Sequence, residues 1–130
     1  MNLYQHSLYT FESIEDNSVL VFTWSEATAN MTNEDFKEAL HNYAGFAFEL
    51  GGPGLLVDVR NFRHNLNKEV MEWRNQACLP RYMAAGSNKM AYLMPPPALE
   101  NMPEGDVVIG DFTDRYFDNQ QDAVNWLSSR

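Results

Sequence analysis

Apolar positions along this chain fall in short bursts, and continuous runs of four to six alternate with stretches in which they recur every three or four residues. The run Val19-Leu20-Val21-Phe22-Thr23-Trp24 is strongly β-prone. Residues 10–14 form a weaker strand candidate, and the polar stretch Glu15-Asp16-Asn17-Ser18 between them reads as a turn, so the two predict an antiparallel hairpin. At Thr32 the pattern becomes helical. Thr32 is a good N-cap with Asp35 three residues on, and Phe36, Ala39, Leu40, Tyr43, Ala44 and Ala47 recur at spacings of three and four. Gly51-Gly52-Pro53 stops that helix, and Gly54-Leu55-Leu56-Val57-Asp58 is a short apolar run suited to a buried strand.

The second half repeats the alternation. Asn67 is placed to cap a helix carrying Val70, Met71, Trp73 and Ala77, which Pro80 should kink or break because it lacks a backbone donor and clashes with the preceding turn. A shorter helical piece follows to Ala85, with Gly86 as its stop. Residues 90–94 read as the next buried strand, ended by Pro95-Pro96-Pro97. The stretch 99–112 is open between a short helix and a loop, since Pro103, Gly105 and Gly110 all oppose regular structure. A last strand is expected at 113–117, then a helix capped by Asp118 with Ala123, Val124 and Leu127 facing inward. The order β-β-α-β-α-β-(α)-β-α predicts an α/β fold: a mixed, mostly parallel sheet of about five strands with helices packed against it.

Composition narrows the class. At 130 residues with 45% hydrophobic and 13% aromatic side chains, a single globular domain spanning 1–130 is expected. The net charge of −9 argues against non-specific binding to nucleic acid or anionic membranes, which needs positive charge. One cysteine, Cys78, excludes an internal disulfide. With no signal-peptide pattern at the N-terminus and no apolar run of membrane-spanning length, a cytoplasmic location is expected.

Several stretches, together with the element order, resemble the STAS-domain superfamily, in particular the small SpoIIAA-like proteins related to CRAL-TRIO lipid-binding domains. They are Gly54 to Arg60, the helix holding Trp73 and ending in the 80–86 region, Lys89 to Leu93, and Arg115-Tyr116-Phe117-Asp118 leading into the final helix up to Leu127. These are core patterns spread over nearly the whole chain, and they speak to fold more than to activity. In anti-sigma-factor antagonists of this kind a serine or threonine after the strand ending at Asp58 is phosphorylated. Here no Ser or Thr lies between Asp58 and Ser87, so the resemblance does not extend to the usual phospho-switch.

The charge distribution singles out one segment. Five of the nine basic residues, Arg60, Arg63, Lys68, Arg74 and Arg81, lie between positions 60 and 81, opposed only by Glu69 and Glu72. Arg60, Arg63, His64 and Lys68 fall around a strand end and a helix N-terminus, where free backbone N–H groups also favour an anion. One reading is a site for a carboxylate, a phosphate or an acidic protein surface; the other is a set of solvated charges balancing acidic neighbours. Asp58, His64 and Cys78 would form a nucleophilic site only if folding brought them into contact, and Cys78 lies in an apolar helical stretch that favours an inert thiol. The three histidines, His6, His41 and His64, lack zinc-site spacing. Asp106, Asp111, Asp114, Asp118 and Asp122 lack calcium-loop spacing and read as a solvated acidic face. Gly51 to Gly54 precedes a strand, whereas phosphate-binding glycine loops follow one. Trp24, Trp73, Phe62 and Tyr82 are expected near one end of the sheet, with Phe62 the most exposed.

These observations predict a non-enzymatic STAS-like interaction or regulatory module, without cofactor or metal, that binds another protein through Arg60, Arg63, His64 and Lys68. A carrier of a small molecule, an acidic ligand or a lipid is the alternative, with a pocket between the sheet and a cover formed by residues 95–112. An exposed hairpin edge makes a homodimer a further expectation.

Overall fold

A computed structural model describes residues 1–129 as one seven-stranded mixed sheet with helices on both faces. The strands are β1 (Asn2–Gln5), β2 (Tyr9–Ile14), β3 (Val19–Trp24), β4 (Gly54–Asp58), β5 (Lys89–Leu93), β6 (Val107–Ile109) and β7 (Phe112–Phe117), in the spatial order β1-β2-β3-β4-β5-β7-β6. β3, β4, β5 and β7 run parallel; β1, β2 and β6 are added antiparallel at the two sides. The α/β class and the mixed sheet agree with the sequence pattern, but there are seven strands rather than about five. The two additional ones are the edges. β1 is four residues long and mostly exposed, and β6 is three residues turned back onto β7 through Gly110 at φ 61°. Segments this short, buried on neither face, leave no periodic trace. β1 also covers the outer side of β2, so the hairpin edge expected there is already paired within the chain.

The N-terminal hairpin turns through three successive left-handed residues, Glu15, Asp16 and Asn17. The first long helix, α1 (Asn33–Glu49), starts with the expected reciprocal capping box: Thr32 Oγ1 accepts from the Asp35 amide, and Asp35 accepts from that of Thr32. All six residues of its predicted apolar face are buried. The next helical region has three parts, α2 (Lys68–Trp73), a π-turn over Arg74–Cys78, and α3 (Leu79–Ala85). Asn67 caps it as expected. Pro80 does not break it, because the widened turn, closed by a Leu79 amide to Arg74 carbonyl bond, puts the proline at the start of α3, where its missing N–H costs nothing. Gly86 ends α3 in the left-handed region at φ 107°. Within the 95–112 stretch lie a single helical turn, α4 (Pro96–Leu99), and β6. The last helix, α5 (Gln120–Ser128), is capped by Asn119 rather than Asp118, whose side chain stays exposed.

Alternation along the central strands sorts the core into two unequal parts. Leu20, Phe22, Trp24, Leu55, Val57 and Met90 point to one face, where α1 and the α2–α3 region cover them. Val19, Val21, Leu56, Ala91 and Leu93 point to the other, against Ala123 and Val124 of α5. Where α1 and α3 end, their backbones touch: a Cβ on Gly52 would lie 2.6 Å from Gly86 Cα.

Among the described residues no helix is long and apolar enough to cross a membrane.

Candidate functional site

The larger face is not filled. A cavity of about 220 Å³ lies toward the carboxyl ends of the parallel strands, and inward-facing strand residues make its floor: Phe22 and Trp24 from β3, Val57 from β4, and Met90 and Tyr92 from β5. Tyr116 of β7, paired in register with Tyr92, extends it; the two rings stack with centroids 5.3 Å apart. α1 contributes Phe36, Leu40 and Tyr43 to the wall, and Tyr82 comes from α3. The mouth is framed by half-buried side chains: Val59, Phe62 and Leu66 from the loop after β4, Met71 from α2, and Met102 from the segment after α4. Open parallel sheets place their ligand sites beyond the carboxyl ends of the strands, and this cavity lies at those ends.

Nearly every lining group is apolar, and eight are aromatic. Trp24 stacks on Phe36 at an interplanar angle of 10°, and Phe62 meets the Trp24 ring edge-on. Such walls suit flat rings, while methionines at the rim adapt to different outlines. The lone ionic element is a buried pair. Arg74, the first residue of the π-turn, points at the sheet and makes two parallel hydrogen bonds to Asp114 of β7, Nη2 to Oδ1 at 2.8 Å and Nη1 to Oδ2 at 3.0 Å. Both side chains are at most 5% exposed. Burial opposes the Arg74 charge, but the hydrogen bonds and charge of Asp114 offset it, and the guanidinium is held above its ordinary value. Burial pushes the phenols of Tyr43, Tyr82 and Tyr92 upward, so these hydroxyls stay neutral. The Tyr43 hydroxyl donates to the Leu20 carbonyl at 2.6 Å, whereas that of Tyr82 is buried with no partner among the described residues.

The four basic residues singled out in the sequence lie beside the cavity, and each is engaged locally. Arg60 is clamped by the Asp58 carboxylate at 2.8 and 3.0 Å, which raises its pKa. Arg63 donates its backbone N–H to the buried Thr28 hydroxyl at 2.8 Å and reaches Glu26 at 3.9 Å. His64 shares a hydrogen bond with Asn33 at the start of α1, and Lys68 lies 3.9 Å from Glu72. The Arg63 and His64 bonds tie the 59–66 loop, with Phe62 and Leu66, to the chain entering α1. The segment read as an anion site therefore fastens the cover of the cavity.

Asp58, His64 and Cys78 are not joined by any hydrogen bond among the described residues. Cys78 is wholly buried in the π-turn, and burial pushes its thiol up to about 11. Its alkylation by iodoacetamide at pH 8 is expected to be at least about 100-fold slower in the folded protein than in urea, because both thiolate fraction and access are reduced. Equal rates, followed by mass spectrometry, would mean that the thiol is accessible and ionised. Asp114 is not part of a solvated acidic face, and Asp106 pairs with Arg115 at 3.3 Å.

Sequence reasoning missed Arg74, Tyr92, Tyr116 and Met102 as neighbours. The available signal was an arginine four residues from both Val70 and Cys78, on the apolar face of the helix, and a tyrosine two positions after an inward-facing residue in each of β5 and β7.

Compared with protein-family models, with curated proteins and with solved structures, the chain matches none.

Proposed function

We propose that this protein is a non-enzymatic, STAS-like module that binds a small, largely apolar ring compound in the cavity at the ends of its parallel strands. The observation that carries the reading is the cavity itself: about 220 Å³, walled by aromatic and aliphatic side chains, at the place where open parallel sheets receive ligands. An apolar protein cavity of about 150 Å³ accommodates benzene, so this one has room for two fused rings. The element order and the helix-covered parallel strands support the STAS-like reading. The cover supports a carrier role, although it differs from the one expected. It is built mainly from residues 59–66 and α2, and Met102 is the one lining residue from the 95–112 stretch.

A protein-interaction role for Arg60, Arg63, His64 and Lys68 is the second reading, and the exposed Lys68 side chain favours it. Its weight is reduced because the other three already bond within the chain.

Calorimetric titration with 2-naphthol tests the carrier reading. Saturable 1:1 binding is expected, weakened about tenfold or more by Leu66→Trp, which narrows the mouth at a half-buried position without touching the floor. Absence of saturable binding in the wild type, or full binding by a folded L66W variant, would refute it.

A further inference from the structure

The charge state of the ligand follows from how the cavity wall is neutralised. Arg74 is the one charged residue of the lining, and Asp114, which is not part of the lining, faces it through two hydrogen bonds. The other two Nη donors are also occupied: Nη1 reaches Asn75 Oδ1 at 3.0 Å and Nη2 reaches Met90 Sδ at 3.3 Å, which leaves Nε without a hydrogen bond among the described residues. The Arg74 charge itself is already matched by that of Asp114. The other polar side chains of the lining are uncharged tyrosines, and among the described residues the Tyr82 hydroxyl is buried without a hydrogen-bond partner.

An anion entering this space would lose its hydration and find its only cation already bound to Asp114. A cation would meet Arg74 at close range and a carboxylate already shared. Burial of a charge without a counter-charge is opposed far more strongly than burial of a neutral group.

We propose that the cavity selects uncharged ring compounds carrying a hydrogen-bonding group, and that Asp114 sets this preference by masking Arg74. The inference rests on the carrier reading above. It makes Asp114 a specificity residue in addition to a structural one: without its charge, Arg74 becomes a free buried cation and the same cavity turns toward ring carboxylates.

Methyl 2-naphthyl ketone and 2-naphthoate have the same outline and differ in charge, so their affinities for the wild-type protein form the first test. The ketone is expected to bind at least about 100-fold more tightly than the carboxylate. The second test is the isosteric variant Asp114→Asn, in which 2-naphthoate should become the preferred ligand and raise the melting temperature more than the ketone does. Naphthoate binding to the wild type as tightly as the ketone would overturn the proposal, as would a folded D114N variant with an unchanged preference. If D114N does not fold, the wild-type ratio still decides. If neither compound nor 2-naphthol binds the wild type, the carrier reading fails and this inference with it. Binding of 2-naphthol alongside equal ketone and naphthoate affinities removes only the neutrality argument.

Discussion

Arg74→Met is expected to destabilise the protein by about 3–5 kcal/mol, because it leaves the Asp114 carboxylate buried with no cation. For a chain of this size that corresponds to a fall of very roughly 10–20 °C in melting temperature. The pair is deeply enclosed, with side-chain exposures of 3% and 5%, so water cannot replace the lost partner. The pair itself is a different matter. Two charges taken out of water lose hydration that their attraction only partly restores, so the double variant Arg74→Met, Asp114→Leu should recover most of the loss. Urea denaturation of both single variants and the double variant gives the coupling directly. A double variant as unstable as the sum of the singles would show that the two residues act independently, contrary to their geometry. In the double variant the cavity would lose its one charged lining residue and keep its tyrosines, which separates stability from ligand choice.

Gly52→Ala is expected to cost about 3 kcal/mol or more, since two penalties fall on one atom. Gly52 has φ +81°, a region that residues with a Cβ rarely occupy, and the added carbon would lie 2.6 Å from Gly86 Cα and carbonyl carbon and 2.7 Å from the Ala85 carbonyl oxygen. All three are backbone atoms, so no side chain can swing aside. Gly51 provides the control. Its φ is +74°, but nothing lies within 4 Å of its would-be Cβ, so Gly51→Ala should cost only the conformational part, about 1 kcal/mol. Chemical denaturation of the two variants distinguishes the effects. Equal losses would mean that the ends of α1 and α3 separate freely, and that the contact does not hold the two helices over the sheet.

The elements whose local chemistry and burial agree were legible in the sequence. Thr32, Asn67 and Gly86 act at the helix ends where their side chains or backbone freedom predict, and the central strands are apolar because both of their faces are covered. Asp118 yields the cap to its neighbour Asn119, a one-residue displacement of the kind that pattern alone does not resolve. The edge strands β1 and β6 were not legible because short, exposed strands owe their existence to a partner already in place. Pro80 marked an irregularity but not its form, because the π-turn is a tertiary accommodation: the widened turn lets Arg74 face Asp114, forty residues away in sequence. The cavity was illegible for a related reason. Its walls come from four strands, four helical segments and two loops, and a void is a property of how surfaces fail to meet. Only Arg74, four residues from both Val70 and Cys78 on the apolar helix face, marked the place, and it was grouped with the basic residues around it.

The position of Trp24 has a consequence for observing this protein. Of the three tryptophans, Trp73 and Trp126 lie outside the cavity, each beneath a lysine ammonium, Lys37 and Lys89 respectively. Trp24 alone forms part of the cavity wall, 2% exposed and stacked on Phe36. The molecule therefore carries a single tryptophan at the surface any occupant would touch, while the other two lie beside Lys37 and Lys89 away from it. With Trp73 and Trp126 replaced by phenylalanine, tryptophan emission becomes a gauge of occupancy that needs no label.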